Sequence, residues 1–328
     1  LVENQAIIHF AVQDTGIGIS TEELTRIFQV PDGHRVLGLI TPVYNEPGCV
    51  GSSCHVSPEK QQILGVLDMQ MSLAGIDGLK LHVTAAGEGG AQAMTLLLRV
   101  PGEIHIVMAP SGGWIDLETL WHELGHGLAA AFTPAGMPLA GRELATDYSL
   151  SEAYAFLLQG AILKKQPLIE VLGLDRPAAR RLGYYKALRD LAVFRRYAAK
   201  FIWEFEFFNG RDLDDGGPYA ELMRHHTGFY HQPESHLFDL TPEFYCCDYL
   251  RGMLLAQRLA AFLEKADGTD WPLSTPTGAR LRSWWRQGHA ADVDAFCGPA
   301  VQADDITLVI VKLDRDRPGP AGAAGGGP

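Results

Sequence analysis

Seven residues, Trp121-His-Glu-Leu-Gly-His-Gly127, limit what this chain can be more than any other stretch. They set His122 and His126 four positions apart, with Glu123 between them. On an α-helix, positions i and i+4 share a face one turn apart, so both imidazoles can reach one ion at the ~2.0–2.1 Å of a zinc–nitrogen bond. Glu123, one step round, is then placed to activate water. The flanks predict the helix: Asp116 as N-cap, Leu117, Leu120 and Leu124 as an apolar stripe, and no proline after it until Pro134. A further acid, Glu152, opens a second helical pattern in Asp147-Tyr-Ser-Leu-Ser-Glu-Ala-Tyr-Ala-Phe-Leu-Leu158. Ser149-Leu-Ser-Glu152 is also a capping box, so the local pattern leaves two roles open for that carboxylate.

A formal net charge of −12 excludes a general binder of nucleic acid or anionic membrane, which needs a basic surface. No apolar run approaches the roughly 18 residues of a membrane span. The five cysteines are odd in number, two of them vicinal (Cys246, Cys247), and do not make a disulfide framework, which points to a reduced, intracellular setting; the expected localisation is the cytoplasm of a bacterium. The chain opens at Leu1 without methionine and reads as a fragment.

The first thirty residues read as strand, loop and helix: Ala6 to Val12, then Asp14-Thr-Gly-Ile-Gly-Ile, then a capping box of Ser20 and Glu23. This piece resembles the ATP-binding module of sensor histidine kinases, and the resemblance implies adenine contact by Asp14. Read from its residues alone, it is a strand, a glycine turn and a helix. Cys49, Cys54 and His55 follow, and with Gln62 to Leu73 they resemble haem-bearing sensor segments, which implies covalent haem with His55 as axial ligand. Four residues separate these cysteines where haem attachment ordinarily has two, and the bare residues read as a loop with free thiols.

Leu79 to Thr84 and Glu103 to Met108 read as strands leading into the histidine helix. The run Glu103-Ile-His-Ile-Val-Met-Ala-Pro-Ser-Gly-Gly-Trp114, the His-Glu-Leu-Gly-His helix and Tyr148-Ser-Leu-Ser-Glu-Ala-Tyr-Ala-Phe-Leu157 together resemble the thimet oligopeptidase and oligoendopeptidase F family of zinc metallopeptidases. The resemblance implies Glu152 as third ligand to one Zn2+, and Glu123 as general base. It also makes the strand before the zinc helix an edge that binds substrate, with Ile104, Ile106 and Met108 in that role. A segment rich in tyrosine and histidine then closes over the metal and stabilises the oxyanion. Tyr245, Tyr249 and His236 match that pattern, with His231 beside the substrate. On its own residues Tyr249 reads equally as a core aromatic.

Pro177 to Gly210 carries a long helical pattern with Leu182, Tyr185, Leu188, Leu191, Phe194 and Ile202 as buried candidates and Trp203 in the core. Leu250 to Phe262 continues as a helix, and Ser283-Trp-Trp-Arg closes the domain. Near the end, Ala303-Asp-Asp-Ile-Thr-Leu-Val-Ile resembles the final strand of phosphatases that regulate sigma factors, where Asp304 and Asp305 would bind metal; the residues alone read as a turn before a strand.

The expected fold is mainly α with a small β-sheet, an α+β, zincin-like metallopeptidase catalytic domain at residues 76–298, truncated. A kinase-like piece (1–30), a haem-sensor-like or linker segment (31–75) and a phosphatase-like strand with a disordered tail (299–328) flank it. The expected function is zinc-dependent hydrolysis of short extended peptides. The other reading is a signalling protein, a kinase or haem sensor fragment around a non-catalytic peptidase-like core.

Overall fold

A computed structural model describes residues 8–13, 36–44, 63–72, 76, 78–83, 93–110, 113–145, 147–210 and 214–297. The Asp14 box and its helix, Cys49, Cys54 and His55, and the Asp304–Asp305 strand lie outside the described residues. The chain divides into two compact units, Leu1–Ala291 and Asp292–Pro328.

The first unit begins with β1 (Ile8–Gln13), β2 (Val36–Tyr44) and β3 (Ile63–Ser72), an antiparallel sheet in the order β1-β3-β2. A second sheet follows from β4 (Leu79–Val83), β5 (Ala93–Arg99) and β6 (Glu103–Met108). The rest of the unit is helical: α1 (Trp114–Phe132), α2 (Leu139–Arg142), α3 (Ser149–Ile162), α4 (Lys165–Glu170), α5 (Arg176–Phe208), α6 (Gly217–Thr227), α7 (Tyr245–Asp267) and α8 (Thr275–Trp285). In the second unit the described residues hold α9 (Val293–Cys297). The fold class is thus mainly α with small sheets, as the periodicities predict. No described helix is long and apolar enough to cross a membrane.

The second sheet has the order β4-β6-β5, with β6 parallel to β4 and antiparallel to β5. This overturns the expectation that Ile104 to Met108 is a substrate edge. Strand β6 is the centre of the sheet, its backbone is paired on both sides, and Ile104, Ile106 and Met108 are fully buried. Their alternation gives β6 one dry face, and that face packs with Leu79 against Leu117, Leu120 and Leu124 of α1. Each such side chain contributes roughly 1.5–3 kcal/mol by leaving water. Strand β5, which the sequence reading passed over, forms an outer edge among the described residues.

Helix α1 starts two residues before Asp116, with Gly113 as N-cap at a φ of 89°, which a glycine adopts without strain. Asp116 is therefore a buried first-turn acid rather than the cap, a position the helix dipole favours for negative charge. The helix ends at Thr133, whose hydroxyl donates back to the Ala129 carbonyl at 2.9 Å, and Pro134 cannot extend it. At the start of α3 the Ser149 amide and hydroxyl both donate to the Asp147 carboxylate, which Arg251 of α7 also grips at 2.9 Å. Asp147, not Glu152, closes this helix end, so the capping-box reading of Glu152 falls away.

Helix α5 is capped by Asp175, whose carboxylate accepts from the Ala178 amide. Its buried positions are Ala179, Ala199, Lys200, Trp203, Glu204 and Phe207. Tyr185, Leu188 and Leu191, expected in the core, are exposed, whereas the buried positions lie at Ala179 and within residues 199–207. Leu182, Phe194 and Ile202 are half-buried.

Two glycines fix how closely the helices cross. A Cβ on Gly125 of α1 would stand 2.4 Å from Ala155 Cα, and one on Gly252 of α7 would stand 2.4 Å from Glu152 Cβ. Helix α3 is therefore pressed between α1 and α7 at backbone-contact distance, and Glu152 sits in the crossing. Gly252→Ala is expected to lower stability by about 1–3 kcal/mol through overpacking, seen as a lower unfolding midpoint. It is also expected to weaken metal uptake by about tenfold, because the displaced atom belongs to Glu152.

Candidate metal centre

Helical register delivers the first two groups: His122 and His126 point from one face of α1, with their Nε2 atoms 3.3 Å apart. Helix α3 crosses them and brings Glu152, 99% buried, to 3.5 Å from His122 Nε2 through Oε2 and 3.7 Å from His126 Nε2 through Oε1. One ligand atom from each of the three residues lies within 4.8 Å of the others, a spacing that one metal ion can bridge.

The donor set fits a cation. Both imidazoles are oriented from behind: His122 Nδ1 meets Gln159 Oε1 at 2.8 Å, and His126 Nδ1 meets Ser151 Oγ at 2.8 Å, which leaves both Nε2 atoms facing Glu152. Gln159 is fixed in turn by donating to Glu118 at 2.7 Å, and Glu118 is held by Lys186 and Arg189. Glu152 Oε2 is buried and has no hydrogen-bond partner. Such an orphaned carboxylate oxygen, 3.5 Å from His122 Nε2, is costly unless a positive charge sits beside it.

Burial dominates the proton affinities. It pulls His122 down to about 4, against the opposing pull of Gln159 and Glu118, and holds His126 well below its ordinary value with help from His122. Both are neutral, the form that ligates metal. Burial also pushes Glu152 up to about 8, opposed by the Tyr245 hydrogen bond and reinforced by the charges of Glu123 and Asp248. Glu123 is raised by burial too, against a hydrogen bond from Thr95.

Around this trio, the Tyr245 hydroxyl donates to Glu152 Oε1. Tyr249, one turn on, has its ring 6.2 Å from that of His122 and stacks on Tyr197 at 4.6 Å. Burial, followed by the charge of Glu152, pushes both phenols above the ordinary tyrosine value, so they stay neutral donors. Thr95 of β5 places its hydroxyl 2.6 Å from Glu123 Oε2 and 3.1 Å from the Glu123 carbonyl, fastening the acid to the sheet edge.

His236 and His231 sit in a different cluster. The His236 ring is 6.3 Å from Trp203 and its Nδ1 meets the Pro233 carbonyl at 2.9 Å, while His231 lies 6.2 Å from Tyr219. Thr95, Gln159, Ser151 and Glu118 escaped the sequence reading. Gln159 had a signal, since it falls seven residues after Glu152 on the same face of α3. Thr95 had none apart from a β-prone run at Ala93 to Arg99.

No family model matches the chain, and no curated protein matches it. Among solved structures it is similar to Trypanosoma cruzi metallocarboxypeptidase 1 at 14% identity and a TM-score of 0.49, covering 73% of this chain and 55% of that one. It is similar to a protein assigned as oligoendopeptidase F from Bacillus anthracis str. Ames at 14% identity and 0.47, covering 74% and 41%. It is also similar to CHT at 16% identity and 0.49, covering 74% and 56%. The chain thus spans about half the length of the solved structures it matches.

Proposed function

We propose that the chain carries a zinc metallopeptidase centre that hydrolyses short extended peptides, within a catalytic domain over residues 76–298. The observation that supports this reading best is the buried Glu152 carboxylate set against two neutral imidazoles, its unpartnered Oε2 3.5 Å from His122 Nε2, with a second carboxylate, Glu123, between the histidines in sequence. His122, His126 and Glu152 would hold the ion. A zinc ion held by these two nitrogens and one carboxylate would supply Lewis-acid polarisation of a carbonyl and a lowered pKa for water.

The chain's own groups do the rest. Glu123, raised by burial, takes a proton from water and returns it to the leaving amine. Thr95 keeps the carboxylate turned to one side while it does so. Tyr245 and Tyr249 donate hydrogen bonds to the oxyanion, a task that suits neutral phenols on the first turns of α7. The outer edge of β5 takes the role first expected of β6: its backbone pairs with an extended peptide, and Thr95 places that peptide beside Glu123.

The test is elemental analysis of the purified chain together with cleavage of a quenched fluorescent peptide library. Hydrolysis that disappears with a chelator and returns with zinc is expected. A chain that holds one zinc yet cleaves no peptide overturns the proposal.

A further inference from the structure

Helix α7 is entered through a strained turn. Glu243 (φ 58°, ψ 25°) and Phe244 (φ 55°, ψ 36°) both stand in the left-handed region, and neither is glycine. Consecutive L residues hold that conformation only where their surroundings over-determine it, and such strain collects at functional sites. The next residue is Tyr245, whose hydroxyl donates to Glu152.

One buried side chain holds this turn from both ends. Glu204 of α5 is fully buried, and its Oε1 accepts from the Thr241 amide and from the Thr241 hydroxyl, each at 2.7 Å. Its Oε2 accepts from the Cys246 thiol. Burial, followed by that hydrogen bond, holds the thiol above its ordinary value, so an S–H is there to donate. A buried carboxylate is costly unless its oxygens are met, and these three donors all lie in the segment that carries Tyr245.

The neighbours of Glu204 along α5 serve the same segment. Tyr197, Phe201, Glu204 and Phe208 recur at intervals of four, three and four, which sets them on one helix face. Tyr197 stacks on Tyr249 at 4.6 Å, and the rings of Phe201 and Phe208 lie 6.4 and 5.3 Å from that of Phe244. Glu204 is thus the acid in an otherwise aromatic stripe against which the start of α7 is laid.

We infer that Glu204 is a positioning residue for the oxyanion donors: it fixes the turn at Glu243 and Phe244 so that α7 begins with the Tyr245 hydroxyl at Glu152. It acts through Tyr245 and touches no reacting atom. The inference rests on the metallopeptidase reading for what Tyr245 does, and on the geometry alone for how Tyr245 is held.

The test has two arms, both on the full chain. In the first, tyrosine is replaced biosynthetically by 3-fluorotyrosine, and the Tyr245 resonance, assigned by its loss in Tyr245→Phe, is followed by fluorine NMR in the metal-free protein. A single resonance is expected in the parent and a shifted or split one in Glu204→Ala. Glu204→Gln, whose amide oxygen still accepts both bonds from Thr241, is expected to return the parent's pattern. In the second arm kcat for peptide hydrolysis is measured in a double-mutant cycle. Glu204→Ala is expected to lower it by about tenfold to a hundredfold, with the Michaelis constant and zinc content close to the parent's. Where Tyr245 is already Phe, the same change is expected to lower it by less than about twofold. An unmoved Tyr245 resonance in Glu204→Ala, or an equal loss of kcat in both backgrounds, overturns the inference. Should Glu204→Ala fail to fold, Thr241→Val, which removes the hydroxyl bond alone, takes its place in both arms. A displaced resonance in a protein whose parent hydrolyses no peptide sinks the enzymatic reading and leaves the positioning standing.

Discussion

Glu123→Gln is expected to lower kcat for peptide hydrolysis by about 10²–10⁴-fold, the range lost when a general base is removed, with the bound metal retained. The substitution is nearly isosteric, and the amide oxygen can still accept from the Thr95 hydroxyl at the position now 2.6 Å away. What it removes is the capacity to carry a proton. His122, His126 and Glu152 keep their spacing, so zinc stoichiometry by elemental analysis should equal that of the parent. A Michaelis constant close to the parent's is expected with it, because binding along β5 does not use this carboxylate. Equal turnover in the two proteins would sink the proton-shuttle role.

The second large effect belongs to Glu152. Losing groups that merely orient metal ligands costs about 10–100-fold in affinity, so Glu152→Gln, which removes a charged ligand outright, is expected to weaken zinc binding by more than about 100-fold. The substituted amide still accepts from Tyr245, which limits damage to the surrounding packing. The acid also sets the pH dependence. Its folded value, up at about 8, lies above the ordinary one, so at neutral pH the metal-free chain holds a proton there that zinc must displace. The imidazoles, pulled down by burial, are already neutral and release none.

Affinity should therefore rise with pH and level off near about 8. Calorimetry in two buffers of different ionisation heat should show about one proton released per zinc in the parent and none in Glu152→Gln. Pairing of a buried group with a raised value has a second outcome. The folded, metal-free chain binds more protons than the unfolded one across that interval, so its stability falls as pH rises from the ordinary carboxylate range toward about 8. Zinc affinity that does not change with pH would refute the assignment of the proton to Glu152.

Much of the centre could be read from spacing, because helical register is local: the four-position offset of His126 from His122 fixes their shared face without help from the rest of the chain. The second helix at Glu152 was readable for the same reason. What the chain order hid is tertiary. Whether Ile104 to Met108 is an edge or a centre depends on where β5 docks, and nothing within those residues decides it. The exposed Tyr185, Leu188 and Leu191 have the same periodicity as a buried face, and what distinguishes them is tertiary placement, which spacing along one helix does not encode. Glu152 carried two local meanings, and the choice was made by Asp147, five residues earlier, together with Arg251 about a hundred residues away.

Each part of the centre hangs from a different support. The ion's ligands ride on α1 and α3, which Gly125 lets touch; the acid that moves the proton is tethered to a strand through Thr95; the phenols arrive on α7, seated by Gly252. Capture and turnover therefore meet at one joint, the crossing of α3 and α7, where Gly252 touches Glu152 and Tyr245 donates to it. A lesion at that joint loosens ion and phenols together, whereas one at Thr95 frees the proton carrier and leaves the ion's ligands in place.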